Sequence, residues 1–383
     1  MNEAKGSNPS KKGTEVAFIT LHRVKNYGSV LQCYATQYIL RKMGYKTEVI
    51  DYYPKRNSMR GMLSALAKHF DHKKLGKILT FAARCVILPS YFKRFAVFNS
   101  FLKKHIILSK ETYKSPQDFA GYKETADLYI TGSDQVWNNT WFSEIDKTYS
   151  LDFIKNKKKI AFASSFGKET VEGDEKEQLK RLLADYDTIL VRENTGVSIL
   201  EDMGLSGRQV LDPTLVLDEK QWEHLVSDKY KGKKYILVYN INRESGLEKY
   251  VDKLRAHTGL PVYRITYQYH DLVKSGRLKC CESVKNFLSL IANAEYVVAD
   301  SFHMLAFSVN FNKKFMAFYP ERFSTRLKSF ISFCGLESRV ISEESTVEAA
   351  MADIDYEKVN GILTTKREES LALLKAALTG ENI

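Results

Sequence analysis

The sequence predicts an α/β protein: two Rossmann-like domains facing each other across a cleft, with a basic helical insertion in the first. Three observations predict it. Short apolar runs alternate with amphipathic helical stretches in two series of similar size. Several of those runs end in small or polar residues, the pattern of strand ends at which open α/β sheets hold ligands. The positive charge is gathered in one place: residues 55–110 hold 13 lysines and arginines against one acid, Asp71, an excess that accounts for the whole formal net charge of +12.

A chain of 383 residues implies two domains. The first spans residues 14–205. An apolar strand at 15–21 leads into a polar loop at 22–28 and a helix marked by Leu31, Ala35, Tyr38 and Ile39. Gly44 ends that helix, and a strand at 46–52 completes a βαβ unit, whose crossover should be right-handed. Residues 57–107 read as two or three helices in which Met62, Leu66, Phe70, Phe81, Val86, Phe92 and Phe98 interleave with lysine and arginine. That pattern suits a helix lying on an anionic membrane or on a partner, and equally an insertion packed on the domain with solvated lysines. Strand signals return at 127–131, 159–163 and 188–192. The stretch 209–217 reads as the crossover to a second domain, residues 206–345. Its strands are expected at 235–240, 262–266, 296–299 and 314–318, and its helices at 246–257, 284–293 and 303–311. The rest, 346–383, carries an amphipathic helix at 357–378 placed to pack back on the first domain.

Composition excludes several classes. With 44% hydrophobic residues and 7 prolines, the chain builds a packed core. Its 5 cysteines show no paired CxxC spacing and read as reduced, mostly buried thiols of a cytosolic protein. Residues 1–14 are polar and lack a signal-peptide core, and no apolar run reaches the roughly 18 residues of a membrane span. GxGxxG, GxxxxGK[ST] and HExxH are missing, so neither a cofactor nor a metal is expected. Confinement of the basic residues to one segment, with no recognised binding module, argues against nucleic acid.

Candidate site residues fall at the strand ends. The first strand leads to Asn26, Tyr27, Gly28 and Ser29, where glycine allows close backbone approach and serine can cap. The strand at 127–131 leads to Gly132, Ser133, Asp134, Gln135 and Trp137, offering N–H donors, a carboxylate and a stacking surface. Others lead to Ser164, Ser165 and Gly167, and to Arg192 and Glu193. In the second domain Tyr296 to Ala299 runs into Asp300, Ser301, Phe302 and His303, which puts His303 at a helix N-terminus with Ser301 near the cap. His303 is then an acid, a base or a phosphate ligand, or else a ring packed beneath the helix. Arg192 at a buried strand end is either an anion ligand or one half of an ion pair with Glu193 or another acid. Asp134 is either a general base or a turn cap. Asp212 reads as fixing the crossover turn, and Arg326 either reaches the cleft or faces solvent.

Taken in order, these pieces resemble the polysaccharide pyruvyl transferase family. The resemblance rests on Asn26-Tyr27-Gly28-Ser29-Val30-Leu31-Gln32, on Thr131-Gly132-Ser133-Asp134-Gln135-Val136-Trp137-Asn138 and on Ser164-Ser165-Phe166-Gly167. It continues through Val191-Arg192-Glu193, Val210-Leu211-Asp212-Pro213-Thr214 and Ala299-Asp300-Ser301-Phe302-His303, covering about residues 15–340. It implies a GT-B-like arrangement and transfer of a pyruvyl group from phosphoenolpyruvate to a sugar, as a ketal with release of phosphate. Phosphoenolpyruvate would be a donor substrate, and the acceptor a surface polysaccharide or its lipid-linked precursor. The resemblance makes His303 the acid/base and Arg192 a donor-anion ligand, with Trp137 placed to stack on a sugar. One departure stands out: members often carry Arg-Leu-His where this chain has Ser301-Phe302-His303. Arg326, Lys313 or Arg322 would have to supply the missing cation. The competing readings are a GT-B glycosyltransferase using a nucleotide sugar and a non-catalytic component of glycan assembly. Under the pyruvyl-transfer and the non-catalytic readings the protein is expected to be cytoplasmic, with the 55–110 face as the surface that would hold it peripherally at the inner membrane.

Overall fold

A computed structural model describes residues 13–70, 76–140, 145–269, 271, 275–320 and 324–381. The first sheet has seven parallel strands: β1 (Glu15–Ile19), β2 (Lys46–Tyr52), β3 (Leu108–Tyr113), β4 (Leu128–Thr131), β5 (Lys158–Ser164), β6 (Thr188–Val191) and β7 (Arg208–Gln209). Their order is β3-β2-β1-β4-β5-β6-β7. Its helices are α1 (Tyr27–Lys42), α2 (Met59–Phe70), α3 (Gly76–His105), α4 (Gly173–Leu183) and α5 (Asn194–Asp202). Two short helices, α6 (Pro213–Val216) and α7 (Glu219–Trp222), lead out of it.

The second sheet is parallel and five-stranded: β8 (Ile236–Tyr239), β9 (Val262–Thr266), β10 (Arg277–Cys280), β11 (Tyr296–Ala299) and β12 (Lys314–Ala317), in the order β10-β9-β8-β11-β12. Around it lie α8 (Ser245–Thr258), α9 (Val284–Ala292), α10 (Phe302–Asn310), α11 (Thr325–Phe333) and α12 (Val347–Met351), and α13 (Tyr356–Thr379) closes the described chain. This is a pair of Rossmann-like sheets in a GT-B-like arrangement. The central strands β4, β8 and β11 are buried along their whole length, as parallel strands covered on both faces must be.

Sequence reading missed β3, β7 and β10. All three are edge strands; β3 and β10 have half-exposed, polar sequences, LSKETY and RLKC, with little apolar pattern, and β7 is the two residues Arg208–Gln209. The basic segment forms two helices. The C-terminal half of α3 buries Phe95, Phe98, Phe101 and Leu102 on the domain.

One buried cluster joins the domains, running from Val16 and Phe18 through Trp222 and Phe307 to Leu374 and Leu378. α13 fastens it: Ser370 Oγ accepts from Leu211 N at 2.9 Å, and Arg367 donates to Leu215 O and to Asn310 Oδ1, each at 2.8 Å. Tyr27, at the start of α1, stacks on Phe287 with centroids 4.1 Å apart and donates its hydroxyl to Glu282 O. No described helix is long and apolar enough to cross a membrane.

Candidate active site

The strand order reverses between β1 and β4 in the first sheet and between β8 and β11 in the second. Such switch points splay the following loops apart and leave a crevice at the carboxyl ends of the strands. Here the two crevices face each other. They form a cleft of about 380 Å³ with Asn26, Ser29, Asp134 and Gln135 on one side and Ser301, His303 and Arg326 on the other.

His303 sits in the first turn of α10 and lies against Gly28 in the first turn of α1. A Cβ on Gly28 would fall 2.1 Å from His303 Nδ1, so the glycine is what lets the ring approach. Nε2 of His303 is buried without a hydrogen-bond partner among the described residues, 3.8 Å from Asp212 Oδ2. Burial lowers the imidazole's pKa; Asp212 and Asp134 work against that, and Arg192 and Arg326 add to it. The ring is therefore neutral at pH 7, with two carboxylates near enough to favour a proton should another anion arrive.

Beneath the cleft lies a buried floor of charge. Arg192 donates to Asp212 Oδ2 at 2.5 Å and lies 3.6 Å from Asp134 and 3.7 Å from Glu193. Asp212 caps α6, accepting from Thr214 N and Oγ1 at 2.9 and 2.6 Å, and lies within reach of Ser133 Oγ at 3.3 Å. Burial would raise its pKa, but Arg192, His303 and the Thr214 hydroxyl bring it down to about 2. Burial likewise opposes ionisation of Asp134, yet Arg192, His303 and Arg326 hold it below the usual carboxylate range. Asp134 adopts φ +77°, and its carboxylate accepts from Ser29 Oγ at 3.0 Å and from Gln135 N at 2.9 Å. Ser133 donates to Ala163 O, and Ser165 donates to Glu193 at 2.6 Å.

The two helix N-termini at the cleft are wired differently. On α1, Asn26 Oδ1 accepts from Gly28 N at 2.9 Å, and Tyr27 N donates to the Tyr267 hydroxyl at 3.2 Å. On α10 the Ser301 side chain makes no cap hydrogen bond. Among the described residues no side chain caps its first N–H groups, so these and the positive end of its dipole suit an anion.

The structure brings Asn26, Gly28, Ser29, Ser133, Asp134, Ser301, His303 and Arg326 together at or just beneath the cleft. Three other candidate residues do not line the cleft. Arg192 lies among carboxylates in the floor, the ion-pair alternative, and does not line the cleft; among the described residues the guanidinium that does is Arg326, whose pKa burial and the nearby Arg192 lower to about 10. Ser165 serves Glu193 below the surface. Trp137 offers no face to the cleft: it is 2% exposed, packs on Phe166 and walls a neighbouring cavity. Of the cations named to replace the missing arginine, Lys313 is taken up by Ala292 O at 3.0 Å, Arg322 lies outside the described residues, and Arg326 faces the cleft.

Sequence reasoning undervalued Asp212 and Gln135. Asp212 was legible as a turn residue from Asp-Pro-Thr, but not as the acceptor for Arg192 in the next loop. Gln135, with its carbonyl oxygen turned to Arg326, accepts from Nη2 at 2.8 Å and Nε at 3.0 Å. Asp300 ties the ends of β8 and β11 together, accepting from Ile241 N and Asn242 N at 2.8 and 2.7 Å.

The fold and site define a class: a two-domain parallel α/β protein whose joined switch points present a histidine, an arginine and an open helix N-terminus in one cleft. Within that class the chain belongs to the polysaccharide pyruvyl transferase family, whose family model it matches over residues 26–322. No curated protein matches it. Among solved structures it is similar to S. aureus MnaA in a co-structure with UDP, at 12% identity over 94% of this chain and 91% of that one, TM-score 0.47. It is also similar to the glycosyltransferase SnogD from Streptomyces nogalater, at 11% identity over 96% of this chain and 100% of that one, TM-score 0.44. Likeness at that level says nothing about chemistry.

Proposed function

We propose that this protein moves a pyruvyl group from phosphoenolpyruvate to two hydroxyls of a sugar, releasing phosphate, with His303 as the proton carrier. The observation that carries this reading is the junction of His303, Arg326 and the uncapped N-terminus of α10 in one cleft. The donor's phosphate and carboxylate suit that helix end and the guanidinium.

The charge balance assigns the proton. With a neutral ring, Asp134, Asp212 and Glu193 outnumber Arg192 and Arg326 by one, so an anionic donor binds best if His303 takes up a proton. The imidazolium then protonates the donor's methylene carbon. The neutral ring takes the proton of the first sugar hydroxyl as its oxygen bonds to C2. The proton passes to phosphate as the C2–O bond to phosphorus breaks, and the second hydroxyl closes the ketal, returning its proton to His303. Two hydroxyl protons leave; one ends on carbon and one on phosphate. Asp134, held ionised, orients Ser29 and Arg326.

Calorimetric titration of phosphoenolpyruvate in buffers of different ionisation enthalpy tests this. Wild type should bind with proton uptake near pH 7, and His303→Gln should lose the uptake. Failure of a folded wild type to bind, with binding of a nucleoside diphosphate instead, would replace this reading with nucleotide-sugar transfer.

The acceptor is placed on a lipid carrier at an anionic membrane surface, which the protein meets through residues 55–110. Of seven exposed large hydrophobic residues among those described, Ile78, Phe81, Val86 and Phe92 lie on α3, at 65%, 71%, 54% and 60% exposure. Ile78, Phe81, Cys85, Pro89, Phe92 and Ala96 follow one another at spacings of three and four, which is one helix face. Lysines beside that face add about 1 kcal/mol each on anionic lipid. Vesicles of phosphatidylglycerol should sediment the protein at low salt and Phe81→Glu should release it; equal behaviour on neutral vesicles would exclude the surface.

A further inference from the structure

Phe302 lines the cleft in the first turn of α10 and is 8% exposed, and the proton transfers proposed for His303 do not use it. Four groups converge on its ring. The guanidinium carbon of Arg192 lies 5.2 Å from the ring centroid and that of Arg326 6.0 Å, both within the range of a cation–π contact. The His303 ring meets it edge to face with centroids 5.2 Å apart, and Phe330 does so at 5.7 Å. Arg326 and Phe330 stand at positions i and i+4 of α11, hence on one face of that helix. Phe302 is therefore where the helix carrying His303, the helix carrying Arg326 and the charged floor meet.

Hydrogen bonds alone do not account for how the guanidiniums are held. Arg192 gives Nη1 to Asp212, while its Nε and Nη2 are buried with no hydrogen-bond partner among the described residues. The carboxylates of Glu193 and Asp134 stand 3.7 and 3.6 Å from those two nitrogens, too far for hydrogen bonds. Arg326 Nη1 lies 3.9 Å from the same Asp134 oxygen, so two like charges share one carboxylate at close range. A further carboxylate beside them would relieve their repulsion, but it would also cancel the charge that an incoming anion must meet. An aromatic face attracts a cation through its quadrupole and brings no net charge. We infer that Phe302 is a positioning residue of the anion site: its ring holds Arg192 and Arg326 near one another and aims Arg326 at an incoming anion without neutralising it. This rests on the reading of Arg326 as an anion ligand; it does not require the anion to be phosphoenolpyruvate.

The test drains the ring face without reshaping the side chain. In the full chain Phe302 is replaced by mono-, di- and trifluorinated phenylalanine, each fluorine withdrawing charge from the ring face with little change in size. Inorganic phosphate and phosphoenolpyruvate are then titrated separately into each protein by calorimetry at neutral pH. Phosphate affinity is expected to fall stepwise with fluorine, by about two- to thirtyfold over the series, which is what a cation–π contact contributes. Phe302→Tyr, which keeps a ring face, should retain more of the affinity than Phe302→Leu, which keeps apolar bulk alone. A flat fluorine series, or equal affinities in Phe302→Tyr and Phe302→Leu, overturns the inference and leaves the ring a packing residue. A graded loss for phosphate with no binding of phosphoenolpyruvate keeps the inference and rejects the donor; binding of phosphoenolpyruvate with a flat series does the reverse. Binding of neither anion to folded wild type rejects both.

Discussion

The N-termini of α1 and α10 meet across the cleft at equivalent places, each following a strand that borders a switch point. Their local sequences even look alike, with a polar cap followed by an aromatic residue: Asn26-Tyr27 and Ser301-Phe302. Yet α1 is closed by Asn26 and by the Tyr267 hydroxyl, whereas α10 has no side-chain cap and carries His303 in its first turn. A helix end becomes a binding site through what its neighbours leave unsatisfied, more than through its own sequence. Here α1 is a clasp between domains, and α10 is left uncapped, the end to which the proposed reading assigns the anion. The same contrast separates the arginines in degree: Arg192 has three carboxylates around it, whereas Arg326 at the cleft wall has Asp134 at 3.9 Å and leans on the neutral amide of Gln135.

The largest effect expected is on His303. His303→Ala should cut phosphate release from phosphoenolpyruvate, in the presence of acceptor, by about 10²–10⁴, the usual worth of a positioned acid/base. A smaller loss would move the chemistry away from α10. Next comes the pair of arginines. Arg192→Gln leaves Asp212 buried without its closest cation and should destabilise folding by about 3–5 kcal/mol in a denaturant titration. Arg326→Gln should leave folding nearly unchanged and weaken phosphoenolpyruvate binding about tenfold or more, the loss of a charge-assisted contact worth roughly 1.5–3 kcal/mol. If the two variants traded phenotypes, floor and wall would have been assigned the wrong way round. Gly28→Ala follows. Its methyl would overlap His303, so the ring must move; displacements of that order cost about 10²-fold in rate. Wild-type rates in this variant would mean that the contact between α1 and His303 is incidental.

Much of this was readable in advance, and for definite reasons. Strands β1, β5, β8, β9 and β11 are apolar runs bounded by turn residues. The helices that pack on them repeat every three to four residues, so period and punctuation located them. Ser301 and His303 were legible because a strand signal passes straight into a helix signal there. The floor was not legible, because Arg192 and Asp212 are 20 residues apart and meet only after β7 and the crossover bring their loops together. Position at a strand end says that Arg192 is near the site, not which way its guanidinium turns. Trp137 misled for a related reason: after Gly-Ser-Asp-Gln it belongs to the loop, and the loop folds it inward against Phe166.

The smallest effects bear most directly on the contrast between the two helices. Asn26→Ala removes the acceptor for Gly28 N and should cost about 1 kcal/mol of stability, the ordinary worth of an N-cap. Ser301→Ala removes no cap bond and, at a half-buried position, should change stability by less than about 0.5 kcal/mol, as substitutions that break no hydrogen bond do. Phosphoenolpyruvate should reverse the ranking. If α10 is the anion end, Ser301→Ala alters the affinity of a site whose donors it borders, while Asn26→Ala, acting on an end already occupied by protein, leaves it within twofold. Unfolding titrations of both variants, with and without the donor, measure both rankings at once. Equal costs in the absence of donor would mean that Ser301 caps its helix in solution after all, and the anion would then have to compete with it.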